Sequence, residues 1–315
     1  GDILITGDVK LHLENALKQG EVVDLNWRKL QNNTQELNVE LISPFVLNSP
    51  FSVDGKLKIY RRDTLFTDVS RQLGARFVFG SADYLRLFVE RQTTSLISTS
   101  QYANFTTQPP FLDRSVTGYG AGLNLVNVDN RLNPSKGYEL IPEISFGTKT
   151  IIENQKLPEV IYDSLNLKTL QVRSNINAAY YLKIVPRMIW HQRGLGATLI
   201  NEQLYNNEAY RIGGLKTLRG FDEESIFATS YFILRSELRY QMDEEGYFFG
   251  FFDGAWYENN SLNSIGQNRD SPYGFGAGIS FGTRAGVFSL SYALGSQRGN
   301  PILIRAAKIH FVFIS

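Results

Sequence analysis

The stretch Gly213–Ser225, GGLKTLRGFDEES, holds the residues with the sharpest chemical demand in the sequence. Arg219 stands beside Gly220, which lets backbone pass close to a neighbour, and Phe221. An arginine folded into a low-dielectric interior needs a carboxylate, best gripped by two parallel N–H···O bonds. Two acids on later alternating segments are placed to supply one: Glu237 in LRSELRY and Asp253 in FFDGAWY. Asp253 lies in sequence among Phe249, Phe251, Phe252 and Trp256, where an unpaired carboxylate is costly. Taken locally, Arg219-Gly220-Phe221 reads more simply as part of a solvated loop, and both readings stand at this point.

Other chemistry is thinly provided. The chain has no cysteine, which removes a disulfide framework and a thiolate metal site. His12, His191 and His310 are far apart on strand-like segments and read as wall residues, so no metal, no cofactor and no enzymatic activity are expected. A serine elbow of the hydrolase kind lacks support. Glycines recur at period two in Gly118, Gly120, Gly122 and again in Gly274, Gly276, Gly278. A nucleotide loop needs a different spacing and a following helix. One strand face made small, for close packing or a bend, fits better. With 32 Lys and Arg against 31 Asp and Glu, charge points to no nucleic acid and no acidic ligand.

The elements that must carry these residues are strands. Leu85, Leu87 and Val89 alternate with Arg86 and Glu90; Phe232, Leu234 and Leu238 alternate with Arg235, Glu237 and Arg239; Ile3, Ile5, Val9, Leu11 and Leu13 alternate with Asp8, Lys10, His12 and Glu14. About fifteen such segments are expected, at 2–17, 21–30, 35–45, 52–62, 67–80, 83–95, 114–128, 136–150, 167–183, 186–199, 229–242, 246–258, 272–283, 286–294 and 304–314. Short polar turns such as Asn32-Asn33 separate some; long connections near 96–113, 151–166, 200–228 and 259–271 separate others. Short turns on one rim and long loops on the other describe a transmembrane antiparallel β-barrel. A soluble sandwich or propeller also alternates. No blade-length repeat is visible, however, and aromatics at strand ends (Tyr231, Tyr240, Tyr247, Trp256, Tyr292) read as an interfacial girdle. No run approaches the roughly 18 apolar residues of a spanning helix, and no signal peptide is visible. Asp129–Gly137, DNRLNPSKG, has the chemistry of a hairpin turn, with Pro134 fixing φ and Gly137 allowing φ > 0.

Three of these stretches together resemble the BamA/TamA/FhaC superfamily of outer-membrane assembly and secretion barrels, related to the bacterial surface antigens. RIGGLKTLRGF at 211–221 is similar to the family's loop-six signature. FFDGAWY is similar to its F-x-D-x-G strand motif, with Ala255 in place of the usual glycine. Asp129, Arg131, Pro134 and Gly137 match its D-x-R-x-x-P-x-x-G turn. The resemblance runs over the whole chain, and the order and strand count between motifs agree with it.

It implies a single barrel domain over 1–315 of about sixteen strands, with Gly1–Leu17 on the second and the first absent or outside the sequence. Loop six would fold into the lumen. There Arg219 would pair with Asp253 and Glu237, Phe221 would wedge against the wall, and Gly213, Gly214 and Gly220 would permit the tight path. No periplasmic POTRA domain is read, as in short members from Bacteroidetes, and FVFIS lacks the usual terminal aromatic. A weak seam would run along 304–314, carrying Ile309, Phe311 and Phe313. The implied role is to assist insertion, assembly or translocation of other proteins through that lateral gate in a Gram-negative outer membrane. Expected partners are the bilayer, including lipopolysaccharide, unfolded outer-membrane clients, and partner subunits or further copies, with no nucleic acid. A passive pore or a scaffold barrel is the alternative.

Overall fold

The structure, a computed structural model, describes residues 7–29, 34–102, 109–131, 133–243, 246–262, 268–283 and 286–314. Ile3, Ile5, Asn32 and Asn33 lie outside them. Eighteen strands follow in chain order: β1 (Gly7–Glu14), β2 (Val22–Lys29), β3 (Gln35–Ser43), β4 (Phe51–Arg62), β5 (Phe66–Val78), β6 (Tyr84–Leu96), β7 (Arg114–Val128), β8 (Gly137–Ile151), β9 (Lys168–Val185), β10 (Met188–Ile200), β11 (Tyr210–Ile212), β12 (Ile226–Ala228), β13 (Ser230–Gln241), β14 (Tyr247–Glu258), β15 (Arg269–Asp270), β16 (Tyr273–Thr283), β17 (Gly286–Ser296) and β18 (Lys308–Ile314). Fifteen of them form one path, β1 to β10, then β13, β14, β16, β17 and β18, each antiparallel to the next. The two-residue β15 pairs with β14, and β11 with β12 forms a separate hairpin.

The side chains are distributed inside out. Leu73, Tyr119 and Leu170 are 60%, 71% and 67% exposed, whereas Asp54, Arg86, Lys149 and Asp253 are 1%, 3%, 0% and 0% exposed. In water this would leave apolar surface on nearly every strand and charge inside, the reverse of a soluble sandwich. A barrel in lipid requires that arrangement, with a polar interior and an apolar outer band. The sheet curls round its contents: one loop touches Arg28 on β2, Tyr60 on β4, Asp253 on β14 and Lys308 on β18.

One rim carries the long connections, after β6, β8, β10, β14 and β17. Three of these loops pack into a cap, with Tyr102, Leu112, Ile151, Leu157, Ile161, Tyr162 and Tyr205 as its apolar core. Beneath it Glu208 holds both Lys149 and Arg114, the latter at 3.5 Å. The opposite rim has short turns, including Asp129–Lys136. Among the described residues only single 3-10 turns interrupt the strands, and no helix is long and apolar enough to cross a membrane.

Candidate functional site: the loop-six clamp and the seam

Residues 201–229 leave the sheet between β10 and β13 and turn inward. β11 pairs with β12, Tyr210 opposite Ala228 and Ile212 opposite Ile226, so 213–225 is the tip of an internal hairpin. Three glycines turn it: Gly213, Gly214 and Gly220 have φ of 114°, 86° and 92°, a region costly for other residues. Thr217 Oγ1 accepts from the Gly213 amide at 2.8 Å, and Gly214 N–H donates to Leu218 O at 3.0 Å. Leu218, Phe221 and Ile226 seat the hairpin on Ile233 of β13 and Tyr257 of β14.

The receiving wall is built by register. Lumenal residues of adjacent strands align as His191–Glu237–Phe251–Gly276–Ala293–Lys308, flanked by the row Arg235–Asp253–Gly274–Gly295. The second row ends in two glycines and forms a flat floor. A Cβ on Gly274 would lie 1.9 Å from Arg219 O, and one on Gly295 would lie 2.6 Å from Gly220 O. Of the glycines at period two, Gly274 is where loop backbone meets wall backbone, whereas Gly276 and Gly278 make room for the Phe251 and Phe249 rings and the backbone of β17.

On that floor Arg219 is 2% exposed and each of its three guanidinium nitrogens donates to the wall. Nε and Nη2 donate to Asp253 Oδ2 and Oδ1 at 2.7 and 2.6 Å, a bidentate grip, and Nη1 donates to Glu237 Oε1 at 2.6 Å. The Arg219 amide also donates to Asp253 at 3.1 Å. The guanidinium lies 3.7 Å above the Phe251 ring. Glu237 is shared: Arg239 donates to its Oε2 from Nε at 2.9 Å and Nη2 at 2.7 Å, and His191 Nδ1 lies 3.1 Å from the same oxygen. Such a network resists disruption, because losing one member strands a buried charge. It contains no nucleophile with a base. Gly278-Ile279-Ser280-Phe281-Gly282 has the G-x-S-x-G spacing, but it lies inside β16, with no strand-to-helix elbow.

The family model for the haemolysin secretion/activation proteins ShlB/FhaC/HecB matches residues 113–285, just over half of the chain. The chain belongs to that family. Among solved structures, BamA from Haemophilus ducreyi lacking POTRA domains 1–3 aligns at a TM-score of 0.67 and 14% identity over 97% of this chain and 66% of that one. CdiB from Escherichia coli aligns at 0.60 and 15% identity over 97% and 58%, and CdiB from Acinetobacter baumannii at 0.57 and 13% over 92% and 53%. The chain thus spans less than two thirds of each of these proteins, and at such identities the likeness is one of fold. No curated protein matches the chain significantly.

In this ShlB/FhaC/HecB-family barrel the other sequence-predicted positions lie apart from the clamp. Asp129 organises the opposite rim: its carboxylate accepts from Asn130 N (3.0 Å), Ser135 N (2.8 Å), Ser135 Oγ (2.5 Å) and Lys136 N (3.1 Å). What burial there is works against the charge, but the Ser135, Lys136 and Asn130 hydrogen bonds outweigh it and hold the carboxyl down at about 2. Pro134 is buried, Arg131 is exposed, and Gly137 has φ of 112° with no room for a Cβ. Ile309 and Phe311 face outward on β18, 72% and 64% exposed; the side chain of Phe313 lies outside the described residues. β1 and β18 are the two ends of the strand path, and no ladder joins them among the described residues.

Two expectations need correction. Tyr231 and Tyr247 are not girdle residues: each shares strand parity with Glu237 or Asp253 and faces the lumen, whereas Tyr240, Trp256 and Tyr292 face outward. By the same parity Phe252 and Trp256 lie on the outer face, so only Phe249 and Phe251 of the four aromatics share the face of Asp253. The sequence reading also missed a second buried cluster, Asp54 with Arg76 and Arg86. Its signal was Gly74, a glycine opposite Asp54 in a strongly alternating strand.

Proposed function

We propose that the chain is an outer-membrane barrel that assembles or secretes other proteins at its β1–β18 seam. The observation that carries this reading is the combination of an unladdered seam with an occupied lumen: among the described residues no ladder joins β1 to β18, while loop six is bolted to the wall inside. An edge with free N–H and C=O groups templates an incoming strand. In lipid those groups have no other partner.

Unfolded clients, anionic lipid and further subunits are the partners this reading names, and the free energy of client folding drives the step.

A passive pore is the second reading, favoured by a cavity of about 490 Å³ that remains along the lumenal faces of β1 to β5, where His12, Asp24, Glu40 and Lys58 line it. Reconstitution in liposomes separates the two. A cysteine-free chain accepts one cysteine on β1 (Leu11) and one on β18 (Phe311), bridged by a bifunctional thiol reagent. The lateral reading expects urea-denatured barrel clients to insert with the free pair and not with the bridged pair. Ion conductance without any client insertion would leave the pore reading in its place.

A further inference from the structure

Loop six carries charges that the clamp does not use. Asp222, Glu223 and Glu224 follow Phe221 directly. Asp222 Oδ1 lies 2.6 Å from Nζ of Lys308, the first residue of β18. Glu223 Oε2 and Glu224 Oε1 lie 3.5 and 3.6 Å from the Arg28 guanidinium on β2. Glu224 also accepts from Tyr60 OH on β4 at 3.4 Å and sits 3.9 Å from Arg211 Nε. β18 is one end of the strand path, and β2 stands directly behind β1 at the other. Three consecutive residues therefore hold both sides of a gap that no ladder closes among the described residues.

We infer that Asp222-Glu223-Glu224 is a releasable electrostatic strap across the seam. Its position is fixed from behind. Gly220 rests on Leu294 and Gly295 of β17, beyond the last rung of the β17–β18 ladder at Ala293 and Lys308. The strap thus starts where β18 stops covering β17. Its geometry is held against a local preference, since Glu224 adopts φ of 55°, unfavourable for a side-chain-bearing residue. The solvent contact of the strap differs from that of the clamp. Side chains of Lys308 and Asp222, on the β18 side, are 34% and 53% exposed, against 2% for Arg219 and 0% for Asp253; on the β2 side Glu223 and Glu224 are 32% and 18% exposed, while Arg28 is only 11% exposed. Ion pairs open to water are screened within about 3 Å at 1 M salt, whereas buried ones are screened much less. Salt, or a competing basic segment, releases the open Asp222–Lys308 end of the strap on β18, while the more buried Arg28 end and the clamp hold the loop in place. The seam then opens from the long-loop rim without loop six leaving the lumen.

The use of the strap rests on the lateral-seam reading above; its existence does not, and the test keeps them apart. Spin labels on cysteines at Leu11 and Phe311 report the β1–β18 distance. In the wild-type background the strap predicts a narrow distribution at low salt that broadens and moves outward at about 1 M salt. The neutral variant D222N/E223Q/E224Q is broad at both, K308E is broad at low salt, and adding D222K to K308E narrows it again. Should a variant misfold, the salt titration of the parent pair decides alone. A distribution unmoved by salt overturns the strap. Client insertion measured on the same samples tests the lateral reading separately: a seam that opens with salt while insertion stays unchanged preserves the strap and removes its proposed use.

Discussion

Two arginines in this barrel lie over phenylalanine rings and grip an aspartate, and they reach it from different places. Arg219 comes from a loop to a carboxylate on β14, with Phe251 3.7 Å beneath it. Arg86 belongs to the wall itself. From β6 its Nη2 donates to Asp54 on β4 at 2.7 Å, with Phe88 4.4 Å away. Arg76 on β5 donates to the same Asp54 at 2.7 Å, although Arg76 and Arg86 are direct cross-strand neighbours. Like charges placed opposite each other destabilise a sheet, so Asp54 is what allows that register. One cluster tethers a movable segment and the other joins strands that hydrogen bonds already join. The same chemistry is a lock in the first case and a mortar in the second.

Charge reversal should separate them with the largest effect. Removing one partner of a buried ion pair costs about 3–5 kcal/mol. Arg219→Glu and Asp54→Ala are both expected to lower strongly the temperature at which the folded, heat-modifiable band is lost on gels. Only Arg219→Glu should also raise the conductance of reconstituted barrels, because only it frees a segment from the lumen. R219E/D253R should recover part of both losses. Equal recovery by R219E/D253A would show that relief of repulsion, not a specific pair, is at work. Conductance raised as much by Asp54→Ala would erase the distinction between the two clusters.

The glycines sharpen the same contrast at smaller cost. A Cβ on Gly274 would lie 1.9 Å from the Arg219 carbonyl, and one on Gly120 would lie 2.1 Å from Phe88 Cζ. Both substitutions overpack, at about 1–3 kcal/mol each. A ring end can swing aside, whereas a backbone carbonyl moves only with its loop. Gly274→Ala is therefore expected to expose loop six to added protease while Gly120→Ala leaves it protected. Equal protection in both would mean that the loop yields as easily as a ring.

The clamp was legible in the sequence and the wall cluster was not, for a physical reason. Period-two alternation shows which face of a strand a residue occupies, and it placed the fold: 136–150 was expected and Gly137–Ile151 is found, 229–242 was expected and Ser230–Gln241 is found. Where 304–314 was expected, β18 begins only at Lys308, since a 3-10 turn takes Ile304–Ala306. Alternation says nothing about register. Nearly every strand carries lumenal charge, so choosing Asp54 for Arg76 and Arg86 required knowing which rungs align. Arg219 escaped that ambiguity because glycines and a motif marked it, and Glu237 and Asp253 lay on the next two strands. Tyr231 and Tyr247 show the converse: an amphipathic ring suits either face, so strand parity and not residue type places them in the lumen.

Beneath the arginines, the two rings offer a comparison of still smaller size. Phe251 and Phe88 are both almost fully buried. A cation over a desolvated ring is worth about 0.5–2 kcal/mol. Phe251→Leu and Phe88→Leu should each lower the unfolding temperature slightly, with Phe251→Leu the larger because its guanidinium is closer. Combining each with lysine at its arginine gives a double-mutant cycle. A coupling near zero in either would reduce that ring to a spacer.

The rim turn gives the smallest effect and a different sign structure. Asp129 is exposed, and its carboxyl is held down at about 2 by hydrogen bonds that outweigh its slight burial. An unfolded aspartate titrates near about 3.9. Because the folded value is the lower one, the charged form is favoured by folding. The contribution is complete above about pH 4 and is lost as pH falls from there through about 2. Asp129→Asn should therefore flatten the acid side of the stability profile in that window, lowering stability slightly near neutral pH and leaving it little changed below about pH 2. The lumenal carboxylates do not mask this, since they belong equally to both proteins being compared. Identical acid profiles for the two proteins would mean that the Ser135 and Lys136 amides do not distinguish the charged turn from the neutral one. The turn would then owe its shape to Pro134 and Gly137 alone.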